Sequence, residues 1–203
     1  MLRDLADASL DPRRFFASLR ARPPSARRAF AALLLPLALG ALVQLIGLGP
    51  LLESLDPALA RTLERLGPVV LRVAFLVGAL LGVPLAALVL WLVAWLPLRL
   101  AAGARPRLGE VAAWTQVPNA VVRFVPVVAG ALGVALPPPI GLLLGLAGTG
   151  WSAWLVYEGL GAFAADARTR GLLAWLALQA LIHVLAFLLA APGFPGASGR
   201  LVL

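Results

Sequence analysis

From Phe124 to Tyr157 the chain carries no charged side chain. A bilayer core about 30 Å thick is crossed by roughly 20 apolar helical residues, so this run is too long for one crossing and too apolar for water. It must fold back, and the place is written at Pro137-Pro138-Pro139. Three consecutive prolines donate no backbone hydrogen bonds and push each preceding residue out of the helical region.

Ala29–Leu52 and Val73–Leu98 are further uncharged runs, and Gly171–Ala191 is free of ionisable residues apart from His183. Completing the helix before the prolines draws in residues upstream of Phe124. The sequence therefore predicts an all-α, polytopic transmembrane helical bundle of five spans, at about 29–52, 73–98, 111–136, 140–162 and 171–191. The runs are solidly apolar without period-two alternation, which excludes a membrane barrel. Pro36, Pro84, Pro118 and Pro126 fall inside spans, where they predict kinks rather than breaks. The first run begins too late and is too long to be a secretory leader.

Composition sharpens this picture. The chain is 62% hydrophobic with a formal net charge of +8. Every one of its 17 basic residues is arginine. Seven precede the first span (Arg3, Arg13, Arg14, Arg20, Arg22, Arg27, Arg28), three follow the second (Arg99, Arg105, Arg107) and two follow the fourth (Arg168, Arg170). The opposite side holds Arg61, Arg65, Arg72 and Arg200. The positive-inside rule then places the N-terminus in the cytoplasm and the C-terminus outside, in a multi-pass protein of the cell inner membrane. Topology also accounts for the basic balance, so nucleic acid is not an expected partner. The absence of lysine, with other residue biases, points to a GC-rich bacterial genome.

Three regions follow: a cytoplasmic basic lead-in at 1–28, the five-helix domain at 29–191 and an external tail at 192–203. In the lead-in, Asp11-Pro12 reads as a helix cap followed by proline at the first helical position. Phe15, Phe16 and Leu19 share one side of that helix, while Arg13, Arg14 and Arg20 supply cations. This predicts an interfacial amphipathic helix lying on anionic headgroups. Asp56–Leu66, with Leu59, Leu63 and Leu66 on one face, predicts a second surface helix.

Polar groups inside spans are the candidates for chemistry. Gln116, Asn119 and Arg123 share a face of span three, Glu158 lies near the end of span four, and Gln179 and His183 share a face of span five. They define an expected polar centre between spans three, four and five, readable either as packing glue or as a lined path. Gly78 and Gly82, and Gly141, Gly145 and Thr149, repeat every four residues and predict close helix approach, within one bundle or in a homo-oligomer. Trp91, Trp95, Trp114 and Trp175 cluster toward the cytoplasmic boundary, as interfacial anchors do.

Catalytic machinery is not legible. The chain has no cysteine and one histidine, which excludes thiolate chemistry and a multi-histidine metal site from one chain. Gly196-Ala197-Ser198-Gly199 resembles a serine-protease motif but lies beyond the last span. No cofactor or metal is expected.

The lead-in Asp11-Pro12-Arg13-Arg14-Phe15-Phe16-Ala17-Ser18-Leu19 and the proline-bearing stretch Glu110–Pro126, with five spans and an outside C-terminus, resemble the Yip family. These Ypt/Rab-interacting five-span membrane proteins also occur in bacteria. The resemblance implies a non-enzymatic membrane scaffold or organising factor, partnered by the lipid bilayer and other membrane proteins. The eukaryotic Asp-Leu-x-Gly-Pro and Gly-Tyr signatures are absent, and no GTPase-binding residue is carried over. The alternative is a small transporter or channel component working through the polar centre.

Overall fold

The structure is a computed structural model that describes residues 2–46, 67–134 and 136–190. The expected helix at 56–66, the outer end of the first span and the tail at 192–203 lie outside the described residues. Within them the fold is helical throughout: α1 (Leu2–Leu10), α2 (Pro12–Arg20), α3 (Ala26–Ile46), α4 (Pro68–Ala102), α5 (Leu108–Ala131), α6 (Pro138–Phe163), a single 3-10 turn (Ala165–Ala167) and α7 (Arg168–Ala190).

Local chemistry sets the boundaries. Asp11 Oδ1 accepts the Arg14 backbone N–H at 3.0 Å and Pro12 opens α2, as a capped start requires. Pro138 opens α6 in the same position, so the triple proline starts this element. Helix α5 stops at Ala131 rather than 136, and Gly133 follows in a left-handed conformation at φ +70°. Pro36, Pro84, Pro118 and Pro126 all lie inside continuous helices.

Three helical segments among the described residues are long and apolar enough to cross a membrane: Arg27–Ile46, Val69–Ala102 and Pro139–Phe163. Helices α5 and α7 occupy the expected third and fifth segments. Helix α5 packs most heavily, against α3, α4 and α6, and α7 lies against α4 and α6. Helix α4 is the most exposed of these three, with only 6% of its most apolar stretch buried by protein. Leu80, Leu81 and Leu85 along it point outward, a surface suited to hydrocarbon rather than water.

The dense core sits at the end where the arginines gather. Trp114, Trp175, Phe15, Phe16, Leu98, Leu108 and Leu160 are all essentially inaccessible there. Trp114 and Trp175 are therefore core residues, not the interfacial anchors that their position in sequence suggests. Trp91 is fixed by its indole N–H to the Gly109 carbonyl at 2.8 Å and stacks on Trp95 at 5.4 Å.

Candidate functional site

The arginine-rich end is built from α1, α2, the start of α3, the α4–α5 connection and the α6–α7 corner. Its central piece is α2. Phe15, Phe16 and Leu19 are buried against the bundle at 2%, 0% and 1% exposure. Phe15 meets Trp114 of α5 edge-on at 4.7 Å, and Phe16 faces Phe163 of α6 at 6.4 Å. This corrects the expectation that these side chains lie in the bilayer interface. The amphipathic pattern is real, but protein rather than lipid covers its apolar face.

Burying that face leaves Arg13, Arg14 and Arg20 on the outside. Arg20 is partly engaged, donating from Nε to the Ala162 carbonyl at 2.7 Å. The stronger fastening is Arg107, whose guanidinium donates to the carbonyls of Leu19 and Arg22 and lies 5.3 Å over the Phe163 ring. Arg107 takes a left-handed φ of +71° to reach them, the one such non-glycine residue among those described. It ties the end of α2 to the start of α5.

Ion pairs complete the surface. Arg22 and Asp4 pair at 2.7 Å and hold α1 against the turn after α2. Burial works to raise the Asp4 carboxyl, but the hydrogen bonds and charges of Arg22 and the N-terminal amine together outweigh it and leave the group below its ordinary value. Arg105 pairs with Asp166 at 2.6 Å, joining the α4–α5 connection to the turn before α7. Just before the expected third span lies Glu110, 3% exposed, with Oε2 lacking a hydrogen-bond partner among the described residues. Its desolvation pushes the carboxyl above the ordinary glutamate value, against the opposing pull of Arg107, the Ser25 backbone N–H and Arg28.

Glu158 belongs to this end as well. It pairs with Arg168 at 3.1 Å, and that guanidinium also hydrogen-bonds the Tyr157 carbonyl and covers the Tyr157 ring. Glu158 thus closes the α6–α7 corner and does not join the expected polar centre.

The other members of that centre sit deeper. The Asn119 amide donates to Gln116 Oε1 at 3.2 Å, and His183 Nδ1 lies 2.7 Å from the Gln179 carbonyl one turn earlier. Arg123 lies on α5 one turn beyond Asn119, and its side chain is outside the described residues. Close contacts fix the relative heights. A Cβ at Gly148 would lie 3.0 Å from Asn119 Oδ1, and one at Gly159 would lie 2.7 Å from Val111 Cγ1. Counting from these contacts places Gln116 opposite residues 151–154 of α6, a stretch that includes Ser152. The equivalent contact of Gly171 with Leu160 sets Ser152 level with Gln179. Gln116 Nε2, Ser152 Oγ and Gln179 Nε2 are all buried without a partner among the described residues. Ser152 has Thr149 three residues before it, but that pair reads in sequence as part of a small-residue face, and this is why sequence reasoning missed it.

The chain's family is now in reach. The lead-in and the helices carrying these residues form the stretch that a family model for the Yip1 domain matches, residues 7–191. The chain belongs to the Yip1 family. No curated protein and no solved structure matches it. The Yip1 domain here is a membrane-embedded bundle of apolar helices, and its matched stretch includes α2 and the arginine-rich face fastened to it.

The small-residue positions complete the survey. A Cβ at Gly78, Gly82, Gly141 or Gly145 would meet no heavy atom within 4 Å among the described residues. Thr149 hydrogen-bonds back to the Gly145 carbonyl. Close approach inside this Yip1 domain runs instead through Gly148, Gly159 and Gly171.

Proposed function

We propose that this Yip1-family protein is a non-enzymatic scaffold of a bacterial inner membrane. In this reading it crosses the bilayer five times with a cytoplasmic N-terminus and an external C-terminus. The arginine-rich face is a fixed platform for anionic headgroups and for partner membrane proteins. The observation that carries the reading is the docking of α2: Phe15, Phe16 and Leu19 are spent on the bundle, while Arg13 and Arg14 remain outside. A lead-in held this way presents its charges at a set height and spacing, and arginines near an anionic surface contribute about 1 kcal/mol each.

The test is lipid selectivity. The protein is reconstituted in phosphatidylcholine, and spin-labelled phosphatidylglycerol and phosphatidylcholine are compared by electron paramagnetic resonance. Wild type should enrich phosphatidylglycerol at its surface, and Arg13→Gln/Arg14→Gln should reduce that enrichment. Equal enrichment in both proteins would remove the platform from the reading.

A second reading, a small transporter or channel component, draws on one observation. Gln116, Ser152 and Gln179 lie at similar heights in the bundle, each with a buried polar atom that has no hydrogen-bond partner among the described residues. Buried polar atoms are ordinarily met by ordered water, and such a level could pass polar solutes. Solute flux into proteoliposomes that falls in Gln116→Leu and Gln179→Leu would favour it over the scaffold.

A further inference from the structure

At the end of the bundle remote from the platform, α3, α4 and α5 part to leave a cavity of about 480 Å³. That is within the range of pockets that enclose small ligands, about 300–1,000 Å³. Its walls are apolar, including Pro36 and Gly40 of α3, Gly78 and Gly82 of α4 and Phe124 of α5, with Gln44 as its polar member. The glycines make the space. Side chains at Gly78 and Gly82 would stand in it, and no described residue comes within 4 Å of where they would begin.

The geometry of α4 gives the cavity a direction. Phe75, Ala79, Gly82 and Ala86 line it at helical spacing, and Arg72 lies on the same face one turn before Phe75. From Phe75 to Ala86 is about 16 Å at 1.5 Å per residue. One leaflet of hydrocarbon is about 15 Å, half of a 30 Å core. The groove therefore runs the depth of a single leaflet, and an exposed guanidinium stands at its mouth where a headgroup would be. Gln44, two residues before the end of α3 as described, adds a neutral hydrogen-bonding group.

We propose that this groove holds one acyl chain of an anionic phospholipid, whose phosphate is met by Arg72. Arginine matches phosphate through a planar fork of donors, which a neutral residue at the mouth could not do. The site is separate from the arginine-rich platform: Arg99, at the platform end of α4, is about 40 Å from Arg72 along the helix axis. The charge at the mouth distinguishes this groove from the bare apolar face of α4 around Leu80 and Leu85, where any lipid tail serves.

The full-length protein is purified in mild detergent, stripped of lipid, offered equal phosphatidylglycerol and phosphatidylcholine, and weighed by native mass spectrometry. Wild type should retain phosphatidylglycerol in preference to phosphatidylcholine. Gly78→Leu/Gly82→Leu fills the groove and should lose the retained lipid while circular dichroism stays helical. Arg72→Gln leaves the groove intact and should still hold lipid, with the preference reduced to parity. Three results overturn the proposal: no preference in wild type, unchanged retention in the leucine variant, or a wild-type dimer that the leucine substitutions dissociate. The last would make a second copy of the chain the occupant. Because Arg13 and Arg14 are untouched, failure here leaves the platform reading standing, and the converse also holds.

Discussion

The rings of Phe15 and Trp114 meet edge-on, 4.7 Å apart and inclined at 70°, across the junction of the lead-in with the third long helix. Both are buried, and the Trp114 Nε1 has no hydrogen-bond partner among the described residues, so the indole serves as apolar bulk. Replacing Phe15 with alanine removes an aromatic pair and leaves a cavity, a change that costs about 3–5 kcal/mol in well-packed cores. That loss should fall on docking of α2 rather than on the bundle as a whole. Hydrogen exchange in detergent should show faster exchange over residues 2–20 in Phe15→Ala, with α4 and α6 unchanged. Equal protection of α2 in both proteins would mean that the contact does not hold the lead-in.

Glu110 makes a prediction about acid. Its folded-state carboxyl is raised by burial, so the folded protein binds the proton more tightly than the unfolded chain does. Stability then falls as pH rises from the ordinary glutamate range through the raised value, because the charged form must be buried. Glu110→Gln removes the charge and keeps an acceptor for the Ser25 N–H. It should be more stable than wild type at neutral pH, by about 1–3 kcal/mol for a relieved buried polar group, and should lack the downward slope. Thermal unfolding in detergent across that window reads both. A wild-type curve that climbs with pH through it would refute the burial argument.

How much of this was readable beforehand depends on which neighbour decided each feature. The Asp11-Pro12 start of α2 and the proline break before α6 are settled within a few residues, and the chain spells them out. Phe15 and Phe16 are different: a helix with one apolar face looks the same whether lipid or protein will cover it, and only Trp114, Val111 and Phe163 decide the matter. Trp114 and Trp175 were misleading for the same reason. The glycines repeat the lesson, since Gly78 and Gly159 are alike in sequence and opposite in surroundings. Gln116 and Asn119 pair at the spacing that suggested it, whereas their level with Ser152 and Gln179 depends on the register of three helices. Helix α1 lacked a cap signal and went unread.

That contrast between glycines can be measured. A methyl at Gly159 would stand 2.7 Å from Val111 Cγ1 and 3.1 Å from Phe16 Cζ, both on buried side chains with little room to move. Overpacking of this kind costs about 1–3 kcal/mol. Gly159→Ala should lower the unfolding midpoint and loosen α2, because Phe16 is one of the atoms displaced. Gly78→Ala meets no described residue and gains up to about 1 kcal/mol of helix propensity. Equal midpoints for the two variants would show that the α2–α5–α6 junction is more pliable than its packing implies.

Arg107 carries the last prediction. Its two donors reach the Leu19 and Arg22 carbonyls at the end of α2, where a helix leaves acceptors unmet. Lysine at this position keeps the charge and the left-handed backbone but cannot span two carbonyls as a rigid fork. Arg107→Lys should therefore lose most of what Arg107→Ala loses, about 1.5–3 kcal/mol for a hydrogen bond from a charged group. Because the backbone strain is common to both variants, it cancels from the comparison. Salt separates this fastening from the Arg22–Asp4 pair: the acceptors here are neutral, so screening should leave Arg107 effective while it weakens the ion pair. Limited trypsin digestion of the reconstituted protein reads the outcome, since the Arg20–Ala21 bond becomes cleavable only when the end of α2 opens. Cleavage there should be slow in wild type at low and high salt and fast in both variants. A lysine variant as resistant as wild type would show that charge near the end of α2, not the paired hydrogen bonds, holds the lead-in in place.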